Sequence, residues 1–172
     1  PLLLFLCIAI KLDTPGPILF KQKRVGIHRS FFQIYKFRTM RIDTPKDVPT
    51  HMLENPEQYI TKVGKFLRKT SLDELPQFFN VLKGDMSLVG PRPEIPFHVE
   101  HFKEEIPRYL VRQQVRPGLT GWAQINGLRG DTDIAERIRY DIWYIENWTV
   151  ALDIKILFRT VFGGKMVNDE KI

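Results

Sequence analysis

Cysteine is nearly absent. Cys7 is the one thiol in 172 residues, which rules out an internal disulfide and a cysteine-rich zinc site and fits a reducing compartment. Long apolar runs are missing too. Residues 1–10 are almost wholly apolar, but a bilayer-crossing helix needs about 20 such residues. The basic start and small-residue cleavage site of a secretory leader are not seen. Neither a phosphate-binding Gly-x-x-x-x-Gly-Lys loop nor a Gly-x-Gly-x-x-Gly fingerprint occurs, and there is no Gly-x-Ser-x-Gly elbow or His-Glu-x-x-His pair. No internal repeat or low-complexity tract breaks the chain, so it reads as one unit without a linker.

What is present is a foldable, basic chain. Hydrophobic residues make up 43%, enough to support a core and argue against disorder. The formal charge is +6, which suits a polyanion: nucleic acid, nucleotide phosphates or an acidic bilayer surface. The chain starts inside its apolar run. That run reads either as half of a longer membrane-embedded element whose earlier residues precede Pro1, or as an ordinary core helix.

Pro15-Gly16-Pro17 ends the apolar run, because two prolines around a glycine forbid a continuing helix. Strands are expected over 18–25 and 31–40, joined by a hairpin-length connection at 26–30. Period-two alternation sets Phe32, Ile34, Lys36 and Arg38 on one strand face. Residues 41–50 read as a loop. Asn55-Pro56 predicts a helix start, with Ile60, Val63 and Leu67 on one face and a basic end at Arg68-Lys69. A second helix is expected over 74–83, stopped by Gly84, and a third over 96–105. The segments 89–93 and 116–121 read as non-helical, and final helices are expected over 132–146 and 150–162.

Arg68-Lys69-Thr70-Ser71-Leu72-Asp73-Glu74-Leu75-Pro76-Gln77 is the stretch richest in chemistry. Ser71 and Glu74 have capping-box spacing, but that register drives the Pro76 ring into the Leu72 carbonyl. Asp73 as the cap avoids the clash and puts its carboxylate at the positive end of a helix, where the ionised form is favoured. An ionised carboxylate is a competent nucleophile, and a helix start also attracts phosphate. Adjacent Glu74 suits a magnesium ion that takes oxygen ligands from carboxylates and phosphates. The plainer alternative is that Asp73 only caps a helix. Arg68, Arg92, Lys36, Arg38 and Arg116 are the cations that would clamp a diphosphate, each with the alternative of a solvated surface role. Arg92 stands out because flanking prolines stiffen its backbone. His98 and His101, three apart, read as a solvated helix face. Val150, Ile154, Leu157, Phe158 and Val161 share one face of the last helix, preceded by Trp143, Tyr144 and Trp148. That face suits a bilayer interface or the protein's own core equally well.

Taken together these blocks resemble the bacterial sugar transferases, the monotopic polyprenyl-phosphate phosphoglycosyl transferases. The resemblance is carried by Pro15-Gly16-Pro17 with Phe20-Lys21-Gln22, by Lys36-Phe37-Arg38-Thr39-Met40, and by residues 70–77 continuing through Asn80-Val81-Leu82-Lys83-Gly84-Asp85-Met86-Ser87. Val89-Gly90-Pro91-Arg92-Pro93 and Arg116-Pro117-Gly118-Leu119-Thr120-Gly121-Trp122 complete it, so nearly the whole chain is covered in order. It implies that Asp73 attacks the sugar-linked phosphate of a UDP-sugar and expels UMP. A polyprenyl (undecaprenyl) phosphate then takes the phosphosugar from the aspartate. By the same resemblance Glu74, with Asp73, holds Mg2+, and Arg68, Arg92, Lys36 and Arg38 match basic positions around the diphosphate, Arg116 less directly. It also implies a re-entrant membrane helix bent at a Ser-Pro pair, of which residues 1–12 would be the returning half and 13–172 a single catalytic domain on the cytoplasmic face of the bacterial inner membrane. The segments 126–130 and 144–148 are similar to the branch that transfers hexose-1-phosphates for surface polysaccharides.

The expected fold is therefore α/β, mostly helical with a short N-terminal β-hairpin, in a membrane-associated monotopic domain. Expected partners are a UDP-sugar, polyprenyl phosphate and membrane lipid, with no nucleic acid and with a homo-oligomer left open. Two rivals from other classes are a basic nucleic-acid-binding module, for which no motif is found, and a non-catalytic membrane-surface scaffold.

Overall fold

The structure, a computed structural model, describes residues 1–44, 55–130 and 132–163. It is mostly helical with a short N-terminal hairpin, and its backbone falls into two compact units: residues 1–20 with 35–76, and residues 21–34 with 77–166, described here to residue 163. Part of the loop expected over 41–50 lies outside the described residues.

The first unit opens with α1 (Leu2–Asp13). Leu6 and Ile10, four apart on one helix face, are buried and join Phe37 and Leu67 in a core completed by Cys7, Ile18, Val63, Leu72 and Leu75. Leu2, Leu3, Leu4, Phe5, Ile8 and Leu12 are exposed. No helix among the described residues is long and apolar enough to cross a membrane.

Strands β1 (Leu19–Val25) and β2 (Phe31–Phe37) form the expected hairpin, closed by a 3-10 turn over Ile27–Arg29. β2 is shorter than expected. Beyond it Met40 makes an isolated antiparallel bridge to Ile60, and that pairing also corrects the next helix. Ile60 is extended, so the chain makes a 3-10 turn over Pro56–Tyr59 and begins α2 (Lys62–Thr70) afresh. Thr61 caps α2, its hydroxyl accepting from the Gly64 N–H at 2.9 Å, and the Asp13 carboxylate accepts from Val63 N–H at 3.0 Å. Two side-chain acceptors on the orphan amides outweigh the Asn55-Pro56 start. Gly64 is required, since a Cβ there would sit 2.1 Å from the Thr39 carbonyl oxygen.

In the second unit α3 (Gln77–Lys83) ends at Gly84, whose φ of +82° explains the glycine. β3 (Ser87–Val89) and β4 (Gly118–Thr120) pair in parallel, with Ser87 opposite Gly118 and Val89 opposite Thr120. Neither strand is visible in the sequence pattern, because each has three residues and both are ringed by glycine and proline. α4 (Pro96–Glu105) matches the expected helix; α5 (Trp122–Ile125) was not expected. α6 (Ile134–Glu146) and α7 (Val150–Phe162) come within two residues of expectation. One core gathers Val25, Val99, Tyr109, Ile138 and Ile142, and another Val89, Ile125, Tyr144 and Ile156.

α7 faces its neighbours with Ile156, which is fully buried, and leaves Val150, Ile154, Phe158 and Val161 exposed. Four of the five residues assigned to its apolar face therefore point to solvent, while Leu157 packs at the edge of the core.

Candidate active site

Asp73 and Glu74 occupy a 3-10 turn over Leu72–Glu74, closed by Glu74 N–H to the Ser71 carbonyl and Leu75 N–H to the Leu72 carbonyl, each 3.2 Å. This corrects the expectation that Asp73 caps a helix. α3 does not begin until Gln77, directly after Pro76, whose missing N–H and bulky ring favour a place ahead of the helix. The dipole argument for the Asp73 charge falls with that register. Ser71 ends α2 and opens the turn at φ 56°, ψ 16°, a left-handed conformation uncommon for a residue with a Cβ. The chain thus reverses sharply between the last basic turn of α2 and the two carboxylates.

Both carboxylates are buried, Asp73 at 8% and Glu74 at 6% exposure. Burying such groups is costly unless they are paired. Glu74 is paired: the Lys36 ammonium on β2 donates to its Oε1 at 2.9 Å, with the lysine side chain only 19% exposed. Arg68, in the last turn of α2, donates from Nε to the Thr39 hydroxyl at 3.0 Å. The end of β2 and the end of α2 thereby fix two cations, Lys36 and Arg68, in the unit that carries Asp73 and Glu74.

Arg38 is placed differently. It is buried, and its guanidinium donates to three carbonyls: Nε to Pro17 at 2.7 Å, Nη1 to Pro15 at 3.0 Å and Nη2 to Thr14 at 2.8 Å. It locks the Pro15-Gly16-Pro17 turn against the end of β2. Gly16 has a φ of +126°, a conformation that favours glycine.

Arg92 and Arg116 belong to the second unit, where the β3–β4 pairing brings their segments side by side. Gly118 N–H donates to the Pro91 carbonyl at 2.9 Å and Ser87 N–H to the Pro117 carbonyl at 2.8 Å. A Cβ on Gly90 would stand 2.5 Å from the Arg116 carbonyl oxygen, so glycine permits this approach. A cleft in this unit is lined by Gly26, Arg92, Glu94, Arg112, Gln113 and Pro117, among others.

Sequence reasoning missed the charge cluster next to Arg92. Arg112 lies 2.8 Å from Asp141 and 3.7 Å from Glu94, and Arg137 lies 3.2 Å from Glu94. All four are largely buried. Burial opposes the charge of Glu94, but the His98 hydrogen bond and the charges of Arg112, Arg137 and Arg24 prevail and hold its carboxyl at about 2. For Arg112 burial is likewise outweighed, by Asp141 and Glu94, and its proton is held more tightly than usual. A signal was available: Arg137 and Asp141 run alongside Ile138 and Ile142, so a charged i, i+4 row flanks the buried row of α6. His98 is a second correction, since it sits 3.5 Å from Glu94 with its side chain 23% exposed and is not on a solvated face. His101 is half-exposed, 3.5 Å from Glu105. Among the described residues no three His, Cys, Asp or Glu side chains group as a metal site.

The profile of the family described as bacterial sugar transferase matches residues 1–166. The UDP-glucose:undecaprenyl-phosphate glucose-1-phosphate transferase of Escherichia coli (strain K12) is 49% identical over 168 residues, which are 95% of this chain and 36% of that protein. A protein of the same name from Caulobacter vibrioides is 51% identical over 94% of this chain and 61% of its own length. The UDP-N-acetylgalactosamine-undecaprenyl-phosphate N-acetylgalactosaminephosphotransferase of Aeromonas hydrophila is 47% identical over 94% of this chain and 38% of its own length. The chain thus spans between about a third and three fifths of these relatives.

Proposed function

The chain belongs to the bacterial sugar transferase family, and from that premise we propose that it moves a sugar-1-phosphate from a UDP-sugar onto undecaprenyl phosphate. The observation that carries the reading is the pair of adjacent buried carboxylates, Asp73 and Glu74, with the Lys36 ammonium 2.9 Å from Glu74. Two carboxylates consecutive in sequence with a cation on one of them offer oxygen ligands for a hard dication and a positive group for phosphate oxygens.

In the first step an Asp73 oxygen attacks the sugar-linked phosphorus. The bond from that phosphorus to the bridging oxygen breaks, and UMP leaves with the electron pair. In the second step a phosphate oxygen of the lipid attacks the same phosphorus and Asp73 departs as a carboxylate. Transfer through an aspartyl phosphate splits one difficult displacement into two. Lys36 and Arg68 neutralise charge on the phosphate that Asp73 attacks; Arg92 and Arg116, in the second unit, are phosphate-binding candidates by the chemistry of their guanidinium groups. Arg38, spent on three backbone carbonyls, contributes by holding the turn that supports β2. The donor set of Asp73 and Glu74, oxygen only, fits a hard dication. Mg2+ held there would supply charge neutralisation on the diphosphate.

The same reading places the chain at the cytoplasmic face of the bacterial inner membrane, with the exposed apolar residues of α1 and α7 against lipid. The test follows UMP release from a panel of UDP-sugars with undecaprenyl phosphate, Mg2+ and the protein in lipid nanodiscs. Wild type releases UMP with at least one sugar, and Asp73→Asn releases none above the enzyme-free level. Turnover by Asp73→Asn at the wild-type rate would remove the nucleophile.

A further inference from the structure

The segment Pro91-Arg92-Pro93-Glu94 is held in an unusual way. Two of its four residues lack an N–H, so its carbonyls are the main backbone handles. All four carbonyls are taken, each by a different residue. Pro91 O accepts from Gly118 N at 2.9 Å and Glu94 O from Val25 N at 3.0 Å. Arg92 O accepts from Arg112 Nη2 at 2.7 Å, and Pro93 O from Arg24 Nη1 at 3.1 Å. Backbone amides clamp the two ends, and guanidinium groups clamp the middle.

Arg112 is the exceptional member. Its side chain is 4% exposed, and the nitrogen that donates to the Arg92 carbonyl also lies 2.8 Å from Asp141, itself 3% exposed. Nη2 donates to the carbonyl of the arginine between two prolines while lying within ion-pair distance of a buried carboxylate. Nη1 lies towards Tyr109 and Glu94. A fold seeking only stability has little reason to bury this arrangement, because well-packed apolar residues of similar volume do as well or better. What the ion pair adds is direction. Arg92 and Arg112 line the same cleft, so the clamp holds the backbone of a residue in the cleft wall.

We propose that Arg112, held in place by Asp141, is a positioning residue for Arg92: it fixes the backbone from which Arg92 reaches a phosphate group. The inference rests on the reading of Arg92 as a phosphate-binding cation. Arg112 itself touches no substrate. Its effect passes through the Arg92 carbonyl, so its loss matters only while Arg92 is there to be aimed.

That dependence is the test. UDP binding is measured by calorimetry, and UMP release by kcat/KM, on the nanodisc-embedded protein. The variants are Arg92→Gln, Arg112→Lys and Asp141→Asn, and the latter two each combined with Arg92→Gln. Arg92→Gln weakens UDP about 10- to 100-fold, the value of a charged hydrogen bond to phosphate. Arg112→Lys and Asp141→Asn weaken it by a comparable factor, and adding Arg92→Gln to either brings no further loss. Factors that multiply in the double variants, or unchanged UDP affinity in folded Arg112→Lys and Asp141→Asn, overturn the positioning role. Unchanged affinity in Arg92→Gln alone overturns the phosphate reading of Arg92 instead. Asp141→Asn keeps shape and one acceptor, so it carries the test should Arg112→Lys fail to fold.

Discussion

At the scale of single residues, the charged side chains of the second unit set the cost of burial against attraction between opposite charges. Glu94 shows how the balance is struck. Its carboxyl falls from the usual 4.5 to about 2 because neighbouring cations and His98 outweigh burial. A carboxylate with a depressed pKa stabilises the fold fully above its unfolded value, and that contribution is lost as pH falls through the folded one. Its contribution should therefore be complete above pH 4.5 and vanish towards pH 2, with a size of about 3 kcal/mol. Urea unfolding of wild type and Glu94→Gln across this window isolates it, since other carboxylates titrate in both proteins. The stability gap should widen as pH rises from 2 to 5 and then level off. A gap that is flat across the window would show that the cations do not hold Glu94. Asp73 and Glu74 were legible in the sequence as candidates through the resemblance carried by residues 70–77, although the helix-cap register argued for Asp73 does not hold. The Arg112 clamp was not. Its carboxylate and carbonyl partners lie about 20 to 30 residues away, and nothing local to Arg112 marks it for burial as the apolar row of α6 marks Arg137 and Asp141.

Among the elements, success and failure of the sequence reading divide by what decides the conformation. α6 and α7 are set by local periodicity and local caps, α4 by the proline at its start, and sequence placed all three closely. Asp133 caps α6 and Thr149 caps α7, their side chains accepting from Glu136 and Leu152 N–H groups. The start of α2 and the turn of Asp73 are settled by contacts distant in sequence: the Met40 bridge to Ile60, Asp13 on the α2 amides, and Lys36 on Glu74. β3 and β4 exist only because each finds the other, 31 residues apart at the Ser87–Gly118 pairing. α2 is the element with most to lose, since it joins the Thr61 cap at one end to Arg68 at the other. Thr61→Ala removes the acceptor of the Gly64 N–H and should cost about 1 kcal/mol, seen as a midpoint lower by about 2–4 °C in thermal unfolding. The Asp13 carboxylate still holds Val63, so the helix should persist by circular dichroism. A midpoint unchanged within error would mean that Asp13 alone secures the helix start.

On the scale of the whole molecule, two features bear on where the protein works: a net charge of +6 and apolar side chains left in solvent. α1 exposes Leu2, Leu3, Leu4, Phe5, Ile8 and Leu12, and α7 exposes Val150, Ile154, Phe158, Val161 and Phe162. Scattered exposed hydrophobes are ordinary, whereas a row on one helix face is not. Positions 150, 154, 158 and 161 repeat at helical spacing, so α7 presents a stripe with the geometry of an interfacial helix. Charge and apolar burial respond differently to salt, and this separates them. Attraction to anionic lipid falls as the Debye length shrinks, while insertion of Phe and Ile side chains does not. In flotation with phosphatidylglycerol vesicles, raising salt from about 0.05 to about 0.5 M should weaken binding without abolishing it. Replacing Phe158 and Phe162 with Ser should lower the remaining high-salt binding, because only the apolar term survives there. Complete release of wild type at high salt would leave charge as the sole attraction. Unchanged high-salt binding in the double serine variant would move the contact away from α7.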